Sequence, residues 1–119
     1  MIERGHTYRA VEYNEALDRV GDLIATLEVV FSVYDVVLTP ATTGTALQGL
    51  DSTGSPIMCT LWTLCGVPAI TLPLLHGANG LPLGVQLVGA KYDDGRLLST
   101  AGWLAGASFE PAQPGPDLG

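Results

Sequence analysis

Apolar residues recur at spacings of four and three early in the chain: Tyr13, Leu17, Val20, Ile24, Leu27 and Phe31. That period draws one apolar stripe along a helix from Val11 to Phe31. Glu12, Glu15, Asp18, Arg19, Asp22 and Glu28 fall largely off the stripe. Glu15 and Arg19 stand one helical turn apart, so an ion pair is expected there. Gly21 lowers helix propensity, and a close packing contact at that position would account for it.

The pattern then changes. Asp35 to Pro40 is short, β-branched and apolar, and it ends at proline. Unbroken apolarity predicts a strand buried on both faces. Ala41 to Pro56 is rich in Thr, Gly, Ser and Ala and has no periodicity. A loop of that length either covers a functional site or is solvent-exposed slack. Ile57 to Cys65 reads as a short apolar helix stopped by Gly66 and Pro68.

Ala69 to Leu74 is the next strand, and Pro73 within it requires an edge, a strand end or a bulge. Asn79-Gly80 is a tight-turn signal. Leu83 to Gly89 forms the second arm of a loose antiparallel hairpin. Asp93 or Asp94 caps a last helix, whose apolar face is Leu97, Leu98, Ala101, Leu104 and Ala105. The prolines and glycines after Phe109 predict a disordered tail over 110–119, leaving one unit over 1–109. No internal repeat occurs. Three helices and three strands define an α/β unit, and so few helices leave one sheet face hard to cover.

Composition sharpens that point. Of the 119 residues, 47% are hydrophobic and only 14% are charged, although a small domain has much surface to cover with polar groups. Part of the surface is therefore expected to lie against something outside this chain. The formal charge of -7 repels phosphate backbones and acidic lipid, which argues against nucleic-acid and membrane partners. Cys59 and Cys65 read as small core thiols of a reducing compartment. No apolar run reaches the ~18 residues of a membrane span. The first residues lack a signal pattern, so a cytoplasmic location is expected.

Five motifs in order carry a resemblance. They are Tyr34 to Pro40, Gly49-Leu50-Asp51-Ser52-Thr53-Gly54, Leu61 to Ala69, Asn79 to Gly89, and Asp93-Asp94-Gly95-Arg96-Leu97-Leu98. Together with Glu3-Arg4-Gly5 and the helix after it, they resemble the C-terminal segment of the amidase-signature family. The resemblance covers nearly the whole chain except the tail. It implies the C-terminal part of a larger α/β/α fold with a mixed sheet. It also implies amide hydrolysis by a serine nucleophile, a second serine beside a cis peptide, and a lysine. Donors near a Gly/Ser-rich loop would hold the oxyanion.

That machinery finds no match here. No Gly-Gly-Ser-Ser-Gly-like run is present, and Ser52 and Ser55 fall in the family's non-catalytic region. Ser32, Ser99 and Ser108 read as helix-end or surface hydroxyls. Lys91, the sole lysine, sits among turn residues and acids that favour its charged form, whereas a lysine base needs burial. His6 and His76 read as surface histidines, and the Asp93-Asp94 pair as a helix start. No catalytic residue, cofactor or metal ligand is assigned within this chain.

The resemblance does place Thr60, Trp62 and Thr63 toward the substrate cleft, where Trp62 would offer a flat apolar wall and one N–H donor. Core packing is the other reading of Trp62. The expected function is thus scaffold and partial pocket wall of an amidase, inactive alone. Its partner would be the N-terminal amidase portion, and the small amide substrate would meet only the complete enzyme. A non-enzymatic binding or self-association module is the alternative.

Overall fold

The computed structural model describes residues 5–107. The expected tail lies outside them. Six elements follow in order: helix α1 (Ala10–Phe31), strand β1 (Val37–Pro40), helix α2 (Ile57–Cys65), strands β2 (Ala69–His76) and β3 (Pro82–Val88), and helix α3 (Asp94–Gly106). The α/β reading holds. No described helix is long and apolar enough to cross a membrane.

The sheet runs in the order β1-β3-β2. β3 is antiparallel to both neighbours, so β1 and β2 point the same way on either side of it. Opposed residues share a face. Leu38, Leu87 and Ile70 form one cross-strand row, and Thr39, Gln86 and Thr71 form a row on the other face. The second row explains the one buried polar side chain among the described residues: Gln86 accepts a hydrogen bond from Thr39 Oγ1 at 3.2 Å.

Local chemistry sets the element ends. Gly66 stops α2 in the left-handed region at φ 64°, and its N–H and that of Val67 donate to carbonyls of the last turn. Gly80, at φ 77°, turns the hairpin. Pro73 meets two of the conditions expected of it, because β2 is an edge strand and its register slips between Leu72 and Leu75. Gly84 allows β1 and β2 to close on β3. A Cβ there would lie 2.5 Å from Thr71 Cγ2 and 2.9 Å from Ala41 Cβ.

Four local expectations need correction. Asp93 stands at the start of α3, but its carboxylate does not cap the backbone. It pairs instead with Arg96 Nε at 2.8 Å, and Arg96 also donates to Asp35 Oδ1 at 3.0 Å. The hydrogen bond to Asp35, then the charge of Asp93, raise the Arg96 pKa. A raised base contributes below its ordinary pKa and loses that contribution only above its folded value, so Arg96 titration adds no pH dependence near neutrality.

Glu15 and Arg19 do not pair; the ion pair of α1 is Arg9–Glu12 at 3.6 Å. The backbone N–H of Arg9 also donates to Glu12 Oε2, which satisfies one free donor at the helix start. Gly21 makes no close contact, since nothing lies within 4 Å of a Cβ built there. Cys65 is a core thiol, but Cys59 is exposed.

The core is small. The buried apolar side chains among the described residues are Cys65, Leu87, Val88, Leu97 and Ala101. α1 buries none. Its C-terminal half, with Val20, Ile24, Leu27 and Phe31, is half-buried, whereas Tyr13 and Leu17 stay exposed. β1 is not buried on both faces either: Leu38 is 60% exposed. The strand is apolar as a central strand would be, yet within this chain it lies at an edge.

Tyr92 is the one described non-glycine residue at positive φ, 65°. That conformation costs a side-chain-bearing residue about 1 kcal/mol. Its ring is exposed and carries Lys91 Nζ at 5.3 Å, a contact worth about 0.5 kcal/mol at an exposed site. Tyr92→Gly is therefore expected to stabilise the chain by about 0.5 kcal/mol. The urea midpoint, read by circular dichroism, checks this. A lower midpoint contradicts it.

Candidate functional site

β1, the far ends of β2 and β3, and α2 enclose an open apolar groove of about 520 Å³. Leu38, Pro40, Leu83, Val85 and Leu75 line it from the sheet and Met58 from α2. Thr42, Thr43 and Gly44 form its rim, and on their other side lies a second hollow. That one is hydroxyl-rich, with Thr45, Ser52, Ser55 and Thr71 along its walls. The loop after β1 thus stands between an apolar groove and a hollow that carries hydroxyls on largely apolar walls.

The loop has anchors of its own. Asn79 Nδ2 donates to Thr45 Oγ1 at 3.0 Å, tying the loop to the hairpin turn. Ser52 Oγ accepts from the Gly54 N–H, and Ser55 Oγ accepts from the Ile57 N–H at the start of α2. Such side-chain bonds stabilise turns and helix starts. This favours a shaped loop over slack.

α2 places the three residues expected at a pocket on different sides. Its inward face is Met58, Leu61, Trp62 and Cys65, following helical spacing. Thr60 and Thr63 sit together on the outward face. Thr60 Oγ1 donates to the Pro56 carbonyl at 2.8 Å. Trp62 is half-buried, and its indole Nε1 is enclosed without a hydrogen-bond partner. None of the three lines the groove or the hollow beside it.

The polar residues weighed as catalysts are engaged elsewhere. Ser32 and Ser99 donate to the carbonyls of Val29 and Gly95. Ser32, Lys91 and Glu28 line one shallow hollow beside the end of α1. Lys91 is exposed and lies over the Tyr92 ring. His6 and His76 are exposed. Sequence reasoning misses the groove because the apolarity of β1 implies cover on both faces. The signal for it is the shortage of helices to cover the sheet.

Known proteins share this fold. Residues 1–98 match the family described as Amidase. A glutamyl-tRNA(Gln) amidotransferase subunit from Brevibacillus brevis is 35% identical over 79 residues, covering 60% of this chain and 16% of that protein. The protein called amidase AmiD in Mycobacterium bovis is 36% identical over 112 residues, covering 86% of this chain and 23% of that one. A solved amidase superimposes with a TM-score of 0.71 at 28% identity, over 87% of this chain and 26% of its own. The chain belongs to the Amidase family. It spans about a fifth of the length of the curated relatives it matches and about a quarter of that solved structure.

Proposed function

We propose that this chain is the scaffold and part of the pocket wall of an amide hydrolase, and that it is inactive alone. The observation that carries the reading is the open apolar groove under the loop after β1. It is shaped, apolar and uncovered within this chain. Relatives and solved neighbours with the same unit are roughly four to six times the length of the matched segment, the inverse of the shares covered. Their names share amide chemistry: an amidotransferase and two amidases.

In this reading a portion outside the chain brings the serine nucleophile, the second serine beside a cis peptide, and the lysine. The local engagement of Ser32, Ser52, Ser55 and Ser99 and the exposure of Lys91 support that division. The rim at Thr42, Thr43 and Gly44 then faces substrate together with Thr60 and Thr63 on the outward side of α2. The purified chain is expected to give no turnover of simple aliphatic or aryl amides above buffer. Turnover lost in Lys91→Ala, or in any single serine-to-alanine variant, would overturn the proposal by placing the chemistry inside this chain.

The alternative, a self-associating module, draws on the same exposed apolar residues. Like charge disfavours α1 as its contact surface, because that helix carries Glu12, Glu15, Asp18, Asp22 and Glu28 against Arg19 and the flanking Arg9.

A further inference from the structure

The hollow beside the end of α1 shares no residue with the groove. Its volume is about 250 Å³. Ile24, Leu27 and Phe31 of α1, with Val67 before β2 and Ala90 after β3, supply apolar walls, and all five are half-buried. Two side chains along it carry full charges of opposite sign, Glu28 and Lys91. Neither forms an ion pair with the other or with any described residue. Asp93, two residues from Lys91, is held by Arg96 at 2.8 Å. Ser32 stands one helical turn beyond Glu28. It spends its O–H on the Val29 carbonyl and keeps its lone pairs as acceptors. The Lys91 stem crosses the end of α2, with Cε 3.9 Å from where a Cβ on Gly66 would stand. The turn that carries Lys91 includes Tyr92 at positive φ, and backbone strain of that kind is met at ligand clamps.

We infer that this hollow binds a short ω-amino acid, a carboxylate and an ammonium joined by methylenes. The ammonium meets the Glu28 carboxylate and the Ser32 hydroxyl, and the carboxylate meets Lys91. The methylenes lie on the apolar walls, where their removal from water adds to the attraction. An α-amino acid carries both charges on one carbon. Glu28 and Lys91 are too far apart for an ion pair and have apolar surface beside them, which suits charges held apart by a chain. The inference does not depend on the proposed function.

The test offers ε-aminocaproate to the full chain and follows saturation-transfer NMR, which needs the chain only at micromolar concentration. Millimolar binding is expected, and it weakens as salt rises. Caproate and hexylamine keep one charge each, and L-leucine keeps both on one carbon; each binds at least about threefold more weakly. Glu28→Gln and Lys91→Met each weaken ε-aminocaproate about threefold, the range of an exposed charge pair. Both positions are exposed, so neither change threatens the fold. The double exchange of Glu28→Lys with Lys91→Glu restores binding, because a ligand charged at both ends can turn round. A merely structural role for either residue would show no such rescue. Absence of transfer in the parent chain, caproate or L-leucine binding as well as ε-aminocaproate, or a double exchange that stays weak overturns the inference.

Discussion

Leu87→Ala is expected to leave the isolated chain without a cooperative unfolding transition. Leu87 is 1% exposed on the central strand, between Leu38 and Ile70 across the register. Truncating a buried leucine costs about 2–5 kcal/mol, through lost transfer energy and the cavity left behind. A whole domain is stable by only about 5–15 kcal/mol. This chain stands at or below the low end of that range, because its buried apolar side chains are Cys65, Leu87, Val88, Leu97 and Ala101, and α1 adds none. One truncation on β3 therefore removes most of the margin. Urea titration followed by circular dichroism should show a sigmoid for the parent chain and a shallow drift for the variant. A variant with an unchanged midpoint would mean that the stabilising core lies elsewhere.

The second large effect concerns the surface. Eighteen large hydrophobic side chains are exposed among the described residues, against five buried apolar ones. They include Tyr13 and Leu17 on α1, Leu38 and Leu75 at the groove, and Leu98 and Trp103 on α3. Scattered exposed hydrophobics are ordinary, but this excess over the buried set is what the proposed function expects of a portion covered by the rest of an enzyme. The isolated chain should raise the emission of an apolar-surface dye several-fold over a compact protein of its size, as exposed apolar surface does. Its sedimentation should show concentration-dependent association at micromolar levels. A monodisperse monomer with little dye binding would contradict both the amidase-portion reading and the self-association alternative.

Much of this architecture was legible in the residues. α1 and α3 were visible in the spacing of their apolar residues, which records which face of a helix is covered, and α2 in its apolar run and the Gly66 and Pro68 that stop it. Gly66 and Asn79-Gly80 marked their turns through the backbone conformations that other residues rarely adopt. Pro73 announced the blunted edge through its missing N–H. The failures share one cause. The apolarity of β1 implies cover on both faces, and Gly21 implies a close neighbour, but this chain supplies neither. A sequence records the contacts of the whole assembly in which it folds, and under the proposed function these positions are the ones the rest of the enzyme covers. Asp93 failed differently: Arg96, one helical turn on, offers its carboxylate a full charge, which outcompetes a backbone N–H.

The candidate site was less legible. Thr60, Trp62 and Thr63 are close in sequence, yet helical geometry turns Trp62 inward and the two threonines outward. The groove is built from β1, the hairpin and Met58, elements far apart along the chain. No local pattern brings Leu38 beside Leu83 and Leu75. That proximity is a product of sheet register, which depends on pairing rather than on any one segment.

The central claim is that this chain becomes part of a catalyst only when the rest of an amidase covers its apolar side. The most direct measurement is amide hydrolysis by a chimera in which this chain replaces the matching segment of Mycobacterium bovis AmiD, run beside the separate chain. The expected result is turnover by the chimera and none by the separate chain. Hydrolysis by the separate chain, or a folded chimera that is inert while parent AmiD turns over, would contradict it.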